Sequence, residues 1–454
     1  MKRSRMVLAA AVLAAATLAV TGCSSASSQD SGAKGSAASP TTVTLRTWDT
    51  NAAAAYKESF AEFTHDNPSI KVKVDVVPWA NYFTTLRTDI AGGNADDIFW
   101  INSSSYSPYA SGGKLINIDQ ALGKAAKKAW APSVVQQFTQ GGSLWGVPQT
   151  SDGGIALYYN KDLVKKAGLT ESDIAHLTWS PAGGTGPDDT LLTVAQKLTR
   201  DQSGKTANEK GFEAAKTTQW GYSASQDLQA IYFPFIGSNG GTFQNQKTGA
   251  FTFATPKTEA AFQYIVDLIN KYHVAPSAAD TNTDGNFTLN QFQQGKIALF
   301  QSGLYNLSNV ADNVKFPWGV VMQPAGPAGD VSVTNGIAAV GNADSPHLAA
   351  TKKVLKWIGS REGNQFIGAT GANLPAVTAA QQTYFDYWKG QGVDVTPFFQ
   401  VIKDKPTIPA PFGAGFAAAS TAYKPIFNEI FLGRTPVKAG LEEAQAAANK
   451  AFTG

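Results

Sequence analysis

The sequence has a single cysteine in 454 residues, so no disulfide can form within the chain and stability has to come from a packed core. Histidine is nearly as scarce, and His65, His176, His273 and His347 stand far apart, without the spacing that holds a metal. There is no Gly-x-Ser-x-Gly elbow, no His-Glu-x-x-His pair and no phosphate-cradling Gly-x4-Gly-Lys-Ser/Thr loop. No acidic pair can be assigned to one cleft, which argues against a secreted glycoside hydrolase. Charged residues make up only 16% of the chain. Lys and Arg outnumber Asp and Glu by 37 to 34, and Lys2, Arg3 and Arg5 account for the whole excess. The remainder is neutral and lacks the basic surplus that nucleic acid demands. Beyond residue 22, no apolar run approaches the roughly 18 residues of a membrane span.

What is present starts at the N-terminus. The three basic residues precede an apolar run, Met6–Val20, that ends in Val20-Thr21-Gly22-Cys23. A basic head, a short hydrophobic stretch and small residues make an export signal. It resembles a bacterial lipoprotein signal, over residues 1–22, in which Cys23 is lipidated and becomes the new N-terminus. Two acyl chains hold stably where one holds marginally. Residues 23–41 follow as anchor and tether, because their Ser, Ala and Gly cannot bury a core. The expected address is extracytoplasmic, on the outer face of the cell membrane.

The body then alternates strand and helix patterns. Val43 and Leu45 alternate with polar residues up to Trp48, and Tyr56, Phe60 and Phe63 share a helical face. Ile70, Val72, Val74 and Val76 read as a second strand, and Trp79, Tyr82, Phe83, Leu86 and Ile90 as a helix stopped by Gly92-Gly93. Ile98–Ile101 and Ile155–Tyr159 are short apolar strands. Helical pieces follow at Pro256–Lys271, Asn286–Gln294, His347–Ile358 and Lys438–Ala451. The order implies an α/β protein.

Several stretches carry a resemblance that covers residues 42–454. They include Asn67-Pro68-Ser69-Ile70, Ala91-Gly92-Gly93 before Asp97-Ile98-Phe99-Trp100, and Trp145-Gly146-Val147-Pro148. Leu157-Tyr158-Tyr159-Asn160-Lys161, Asn239-Gly240-Gly241, Phe292-Gln293-Gln294-Gly295-Lys296 and Gly303-Leu304-Tyr305 continue the series. In this order the chain resembles the solute-binding lipoproteins of ABC importers, in the carbohydrate group that includes maltodextrin-binding proteins. The resemblance implies a two-lobe, type II periplasmic-binding-protein-like α/β fold with a ligand cleft and a multi-segment hinge. The first lobe would hold 42–150 and 325–361, the second 151–324 and 362–454. The crossings would lie near Thr150–Gly154, Met322–Gly326 and Ser360–Gly363.

A sugar offers hydroxyls at its edge and apolar C–H faces, so its site needs aromatic rings and planar polar side chains. No metal, cofactor or catalytic acid is required. Trp48, Asp49 and Asn51 end the first strand pattern, Trp79 follows the second, and Trp100, Asn102 and Ser103 close the third. The resemblance makes Trp100 a stacking residue and adds Gln149 and Asp152 at the hinge. It adds Tyr232, Tyr305, and Phe416 from the second lobe, and Asn335 and Gly336 from the returning first-lobe segment. Tyr305 stands where relatives carry a Trp, which keeps a stacking face but shrinks it. Trp79 also begins an apolar helix face, and Asp49 and Asp152 also suit caps. Asp280-x-Asn282-x-Asp284-Gly285-Asn286 nearly spells a calcium loop, but Gln291 stands in place of the bidentate Glu. A turn leading into a helix accounts for those residues more simply.

The expected function is a lipid-anchored, monomeric receptor that captures a mono- to oligosaccharide by lobe closure and delivers it to the permease subunits of an ABC importer. The alternatives are a same-fold receptor for a non-sugar solute and, further off, the hydrolase. A polyamine site would want several acids, and an oxyanion or ferric site Arg, Tyr clusters or helix N-termini.

Overall fold

The computed structural model describes residues 39–453, with 152, 185 and 404 left out. Residues 40–454 form one compact unit, and the leader, Cys23 and the tether up to residue 38 lie outside the described residues. The strands of the two large sheets are β1 (Thr41–Thr47), β2 (Ile70–Val76), β3 (Ile98–Asn102), β4 (Val147–Thr150), β5 (Ile155–Asn160), β6 (Arg200–Asp201), β7 (Thr217–Tyr222), β8 (Ile297–Gly303), β9 (Trp318–Met322) and β10 (Ile337–Gly341), and Thr139–Gln140 pairs with Ser143–Leu144 in a small hairpin. They build two five-stranded sheets, β2-β1-β3-β10-β4 and β9-β5-β8-β7-β6. Six helices matter below: α1 (Thr50–Asp66), α2 (Trp79–Gly92), α3 (Leu348–Ile358), α4 (Arg361–Ala369), α5 (Gln381–Gly390) and α6 (Phe416–Phe431).

Each sheet has its own core. Val43 and Leu45 of β1, Tyr56, Phe60 and Phe63 of α1, and Leu86 of α2 are buried with Val340 and Leu355 in the first. The second sheet is covered on both faces, as a sheet with parallel pairing requires. Ile155, Leu157 and Tyr159 of β5 point into one core, and Ala156 and Tyr158 into another that holds Phe292, Phe300, Tyr384 and Trp388.

The registers fix where the lobes meet. Ile337 at the start of β10 is level with Asn102 at the end of β3 and with Thr150 at the end of β4. In the second sheet Ile155 is level with Gly303, and Ala156 with Met322. The chain crosses from Thr150 to Ile155 and back from Met322 to Ile337, so these two strand-end edges are joined by both crossings. Strand ends of this kind are where open α/β sheets bind ligands. At the first crossing, a Cβ on Gly154 would stand 2.2 Å from Val401 Cγ1, so only glycine fits.

Two lobe boundaries fall later than expected. Val331 and Val333 pack in the second lobe's core, and the Ser332 hydroxyl accepts a 2.7 Å bond from the Ile155 amide. The return to the first lobe therefore comes at Thr334–Asn335 instead of Met322–Gly326. The third crossing also moves. Ile367, Ala372 and Val377 are buried in the first core, whereas Leu374, Tyr384 and Trp388 belong to the second lobe. Helix α4 stays with the first lobe because Gly363 lets its backbone approach Trp357 and accept the Ser59 hydroxyl at 2.8 Å.

Candidate functional site

Three segments leave the first sheet at the crossing edge. Trp48 and Asp49 follow β1, Trp79 opens α2 just beyond β2, and Asn102 ends β3. Their aromatic rings meet. Trp48 is half-buried and takes edge-to-face contacts from Trp79 at 5.2 Å, Tyr82 at 4.8 Å and Trp100 at 5.4 Å. Trp79 stands against Phe83 at 5.1 Å and remains 52% exposed, more than Val76 or Leu348, the other exposed large hydrophobic side chains among the described residues. These T-shaped contacts are an arrangement that aromatic quadrupoles favour.

A buried polar chain holds this platform from behind. Trp100 Nε1 donates to the Tyr56 hydroxyl at 2.8 Å, which donates to Gln149 Oε1 at 2.6 Å. Gln149 Nε2 reaches the carbonyls of Val147, Pro148 and Ile358 at 3.0–3.2 Å. Tyr82 donates to the Trp100 carbonyl at 2.8 Å. Burial drives the Tyr56 hydroxyl far above the usual phenol range, so it stays neutral and keeps its proton for Gln149.

This changes the reading of two expected contacts. Trp100 is 1% exposed and Gln149 fully buried, so both support the site from inside and present no face to a ligand in this conformation. Tyr232 is likewise 1% exposed, packed between Phe233, Phe243, Phe262 and Phe427. It closes a π-helical turn, Leu228–Tyr232, capped by the Asp227 carboxylate on the amides of Gln229 and Ala230. Leu228 and Gln229, at the start of that turn, are half-buried. Phe416 opens α6 and stacks on Phe251 at 6.5 Å, against the second core. Asp152 lies outside the described residues.

The polar candidates divide. Asp49 caps α1, one oxygen accepting the amides of Asn51 and Ala52 at 2.8 and 3.0 Å, the other Asn373 Nδ2 at 2.8 Å. It thereby ties α1 to the third crossing. Asn51 Nδ2 lies 3.4 Å from Asp312 of the second lobe. Ser103 donates to Asn335 Oδ1 at 2.7 Å, and the buried Gly336 amide donates to Gln137 at 2.7 Å. Asn102 Oδ1 is buried without a partner among the described residues. Such an acceptor costs about 1–3 kcal/mol unless a donor arrives. Tyr305 follows β8 on the facing edge, half-buried against the second core.

Tyr56, Asp312 and Asn373 were not anticipated as parts of the site. Tyr56 was legible as a core residue on the α1 face, whereas the partners Asn373 and Asp312 lie 324 and 261 residues from theirs. The near-calcium spacing does not wrap a loop. Asp280 falls inside a short helix, Asn282 Nδ2 reaches the Asn428 carbonyl, and Asp284 caps the turn into Phe287–Gln293.

The comparisons accord with this architecture. Residues 47–365 match the family described as bacterial extracellular solute-binding protein. The crystal structure of UspC from M. tuberculosis is 53% identical, covers 90% of this chain and 100% of its own, and superposes with a TM-score of 0.71. An ABC substrate-binding protein of Listeria monocytogenes in complex with cycloalternan is 22% identical, covers 91% and 99%, and scores 0.76. A maltooligosaccharide ABC transporter solute-binding lipoprotein of Streptococcus pneumoniae serotype 4 is 24% identical over 99% of this chain and 97% of its own. With the match spanning more than half of its length, the chain belongs to the bacterial extracellular solute-binding protein family.

Proposed function

We propose that the protein is a lipid-anchored carbohydrate receptor that hands its sugar to the permease of an ABC importer. The observation that carries this reading is the Trp48–Trp79 platform, with Trp79 52% exposed at the sheet edge that adjoins the crossings. An indole face matches the C–H face of a sugar ring. The unpartnered Asn102 Oδ1 and the Ser103–Asn335 pair supply polar atoms for hydroxyls on the same edge. Tyr305 closes the site from the second lobe. The cycloalternan in the complex of the listerial protein, and the maltooligosaccharide in the name of the pneumococcal one, support a sugar over other solutes.

The mechanism is binding and closure. A ligand touching both lobes favours the arrangement in which both sets of contacts form. Family and relatives are binding proteins, and no bond need be broken here.

Titration of tryptophan fluorescence against a panel of mono- to trisaccharides is expected to give a saturable change with one or a few of them. Mass spectrometry of material released on gentle denaturation should identify a neutral sugar. A charged solute in that fraction, with no response to any sugar, would move the reading to another ligand class. Replacing Cys23 by Ala is expected to release the protein into the medium with its sugar affinity unchanged. Retention on the membrane that survives a wash in molar salt would defeat the anchor, and lost affinity in the folded variant would defeat the separation of anchor from site.

A further inference from the structure

We propose that the first lobe carries a lysine face that docks on anionic lipid headgroups. Two segments, 114–130 and 341–359, run side by side. At one end Leu115 bridges Asn342, and the Ile116 amide donates to the Gly341 carbonyl at 2.8 Å. At the other, Trp130 Nε1 donates to the Gly359 carbonyl at 2.8 Å. Between these ties the 3-10 helix Lys124–Ala129 brings Lys124, Lys127 and Lys128, and α3 brings Lys352, Lys353 and Lys356. The i, i+1, i+4 spacing keeps the α3 lysines on one side of the helix. Lys127 is tied to Asp119 at 2.8 Å. The other five are exposed, and none forms an ion pair with a carboxylate among the described residues. Since the chain beyond its leader is neutral, this is a local concentration of charge and not a general surplus.

The position of the face selects its partner. Leu45 is level with Ile98, and Ile98 with Gly341, so the end of β10 lies at the end of the sheet where β1 begins, away from the crossings. Helix α3 starts there with Leu348, an apolar side chain 39% exposed. The segment from Cys23 joins the fold at that same end, at Thr41. Its residues, 24–40, span at most about 60 Å, so an acylated Cys23 keeps the start of β1 within that distance of the bilayer, where the lysines can reach the headgroups. Lysines brought within a Debye length of anionic headgroups are attracted to them, and an exposed leucine beside them suits the interface. This rests on the proposed anchor but is independent of the sugar site.

The test uses a chain that starts at residue 23 and carries Cys23→Ala, which retains the whole compact unit 40–454. It is sedimented with vesicles of phosphatidylcholine alone, or of phosphatidylglycerol and phosphatidylcholine in a one-to-three ratio. Binding is expected only to the second, with release in molar salt, where the Debye length falls to about 3 Å. One lysine near such a surface is worth about a fivefold change in partition, so K352E/K353E/K356E should lose more than about 100-fold. K124E/K128E serves as an independent variant if the triple one melts early, and K165E/K166E on the second lobe should bind like the parent. The fluorescence response to sugar should persist in every variant, which separates failure here from failure of the receptor reading. Equal binding to neutral vesicles would overturn the proposal, as would binding that survives charge reversal. So would capture by the permease without any vesicle binding, which would make this a protein-docking face.

Discussion

Replacing Trp100 by Ala is expected to cost about 3–5 kcal/mol of stability, the usual range for emptying a fully buried indole site. The side chain is 1% exposed, and its removal opens a void behind Trp48, whose contact with it is 5.4 Å between ring centres. It also takes away the proton donor to the Tyr56 hydroxyl, leaving the link from Tyr56 to Gln149 with one end free. Sugar affinity should fall as well, but second-hand, because Trp48 loses the wall that sets its angle. Trp100→Phe separates the two effects. A ring still backs Trp48, so affinity should largely return, while loss of the Nε1 hydrogen bond should leave a deficit of about 1 kcal/mol. Denaturant unfolding followed by circular dichroism reads stability, and tryptophan fluorescence titration reads affinity. A Trp100→Ala protein that unfolds like the parent yet ignores sugar would mean that Trp100 faces the ligand and that its burial here belongs to one conformation only.

The case of Trp100 shows why the ends of strands are easier to read in a sequence than the direction in which their last side chains turn. The strand ends were legible: alternation in Val43–Leu45 and Ile70–Val76, and the helix of Tyr56, Phe60 and Phe63, follow from period and need no tertiary information. Whether the last residue of a strand turns outward depends on alternation, and Ile98–Ile101 has none because all four residues are buried. The strand reads the same whichever face Trp100 takes. Tyr232 was misread for a related reason. It closes the π turn Leu228–Tyr232, whose wider spacing shifts which residue faces the core. The resemblance puts a crossing near Ser360–Gly363, whereas Gly363 packs closely on Trp357 and Ile367 of α4 is buried in the first core. Asp49 illustrates the other limit. Its capping role was legible from local sequence, but its bond to Asn373 spans 324 positions and has no local signature.

Trp79→Ala is the converse experiment, with the larger effect on function and the smaller on folding. The side chain is 52% exposed, so truncation removes little buried area, and stability should change by less than about 1 kcal/mol. Affinity should change far more. Covering one indole face removes about 80 Å² of apolar surface from water, worth about 2 kcal/mol at 25 cal/mol/Å². Ring stacking adds about 0.5–1 kcal/mol. The sum corresponds to a loss of about 70–160-fold in affinity. Trp79→Tyr keeps a smaller face and should recover most of it, whereas Trp79→Leu keeps apolar bulk without a plane and should recover little. That ordering distinguishes a stacking platform from a merely greasy edge. The contact with Trp48 at 5.2 Å also makes the two rings one surface, so the double variant should lose less than the sum of the single losses. Unchanged affinity in Trp79→Ala, with the fluorescence response to sugar intact, would remove the observation on which the carbohydrate reading rests. The exposed indole would then have to be explained by contact with the permease or with another solute.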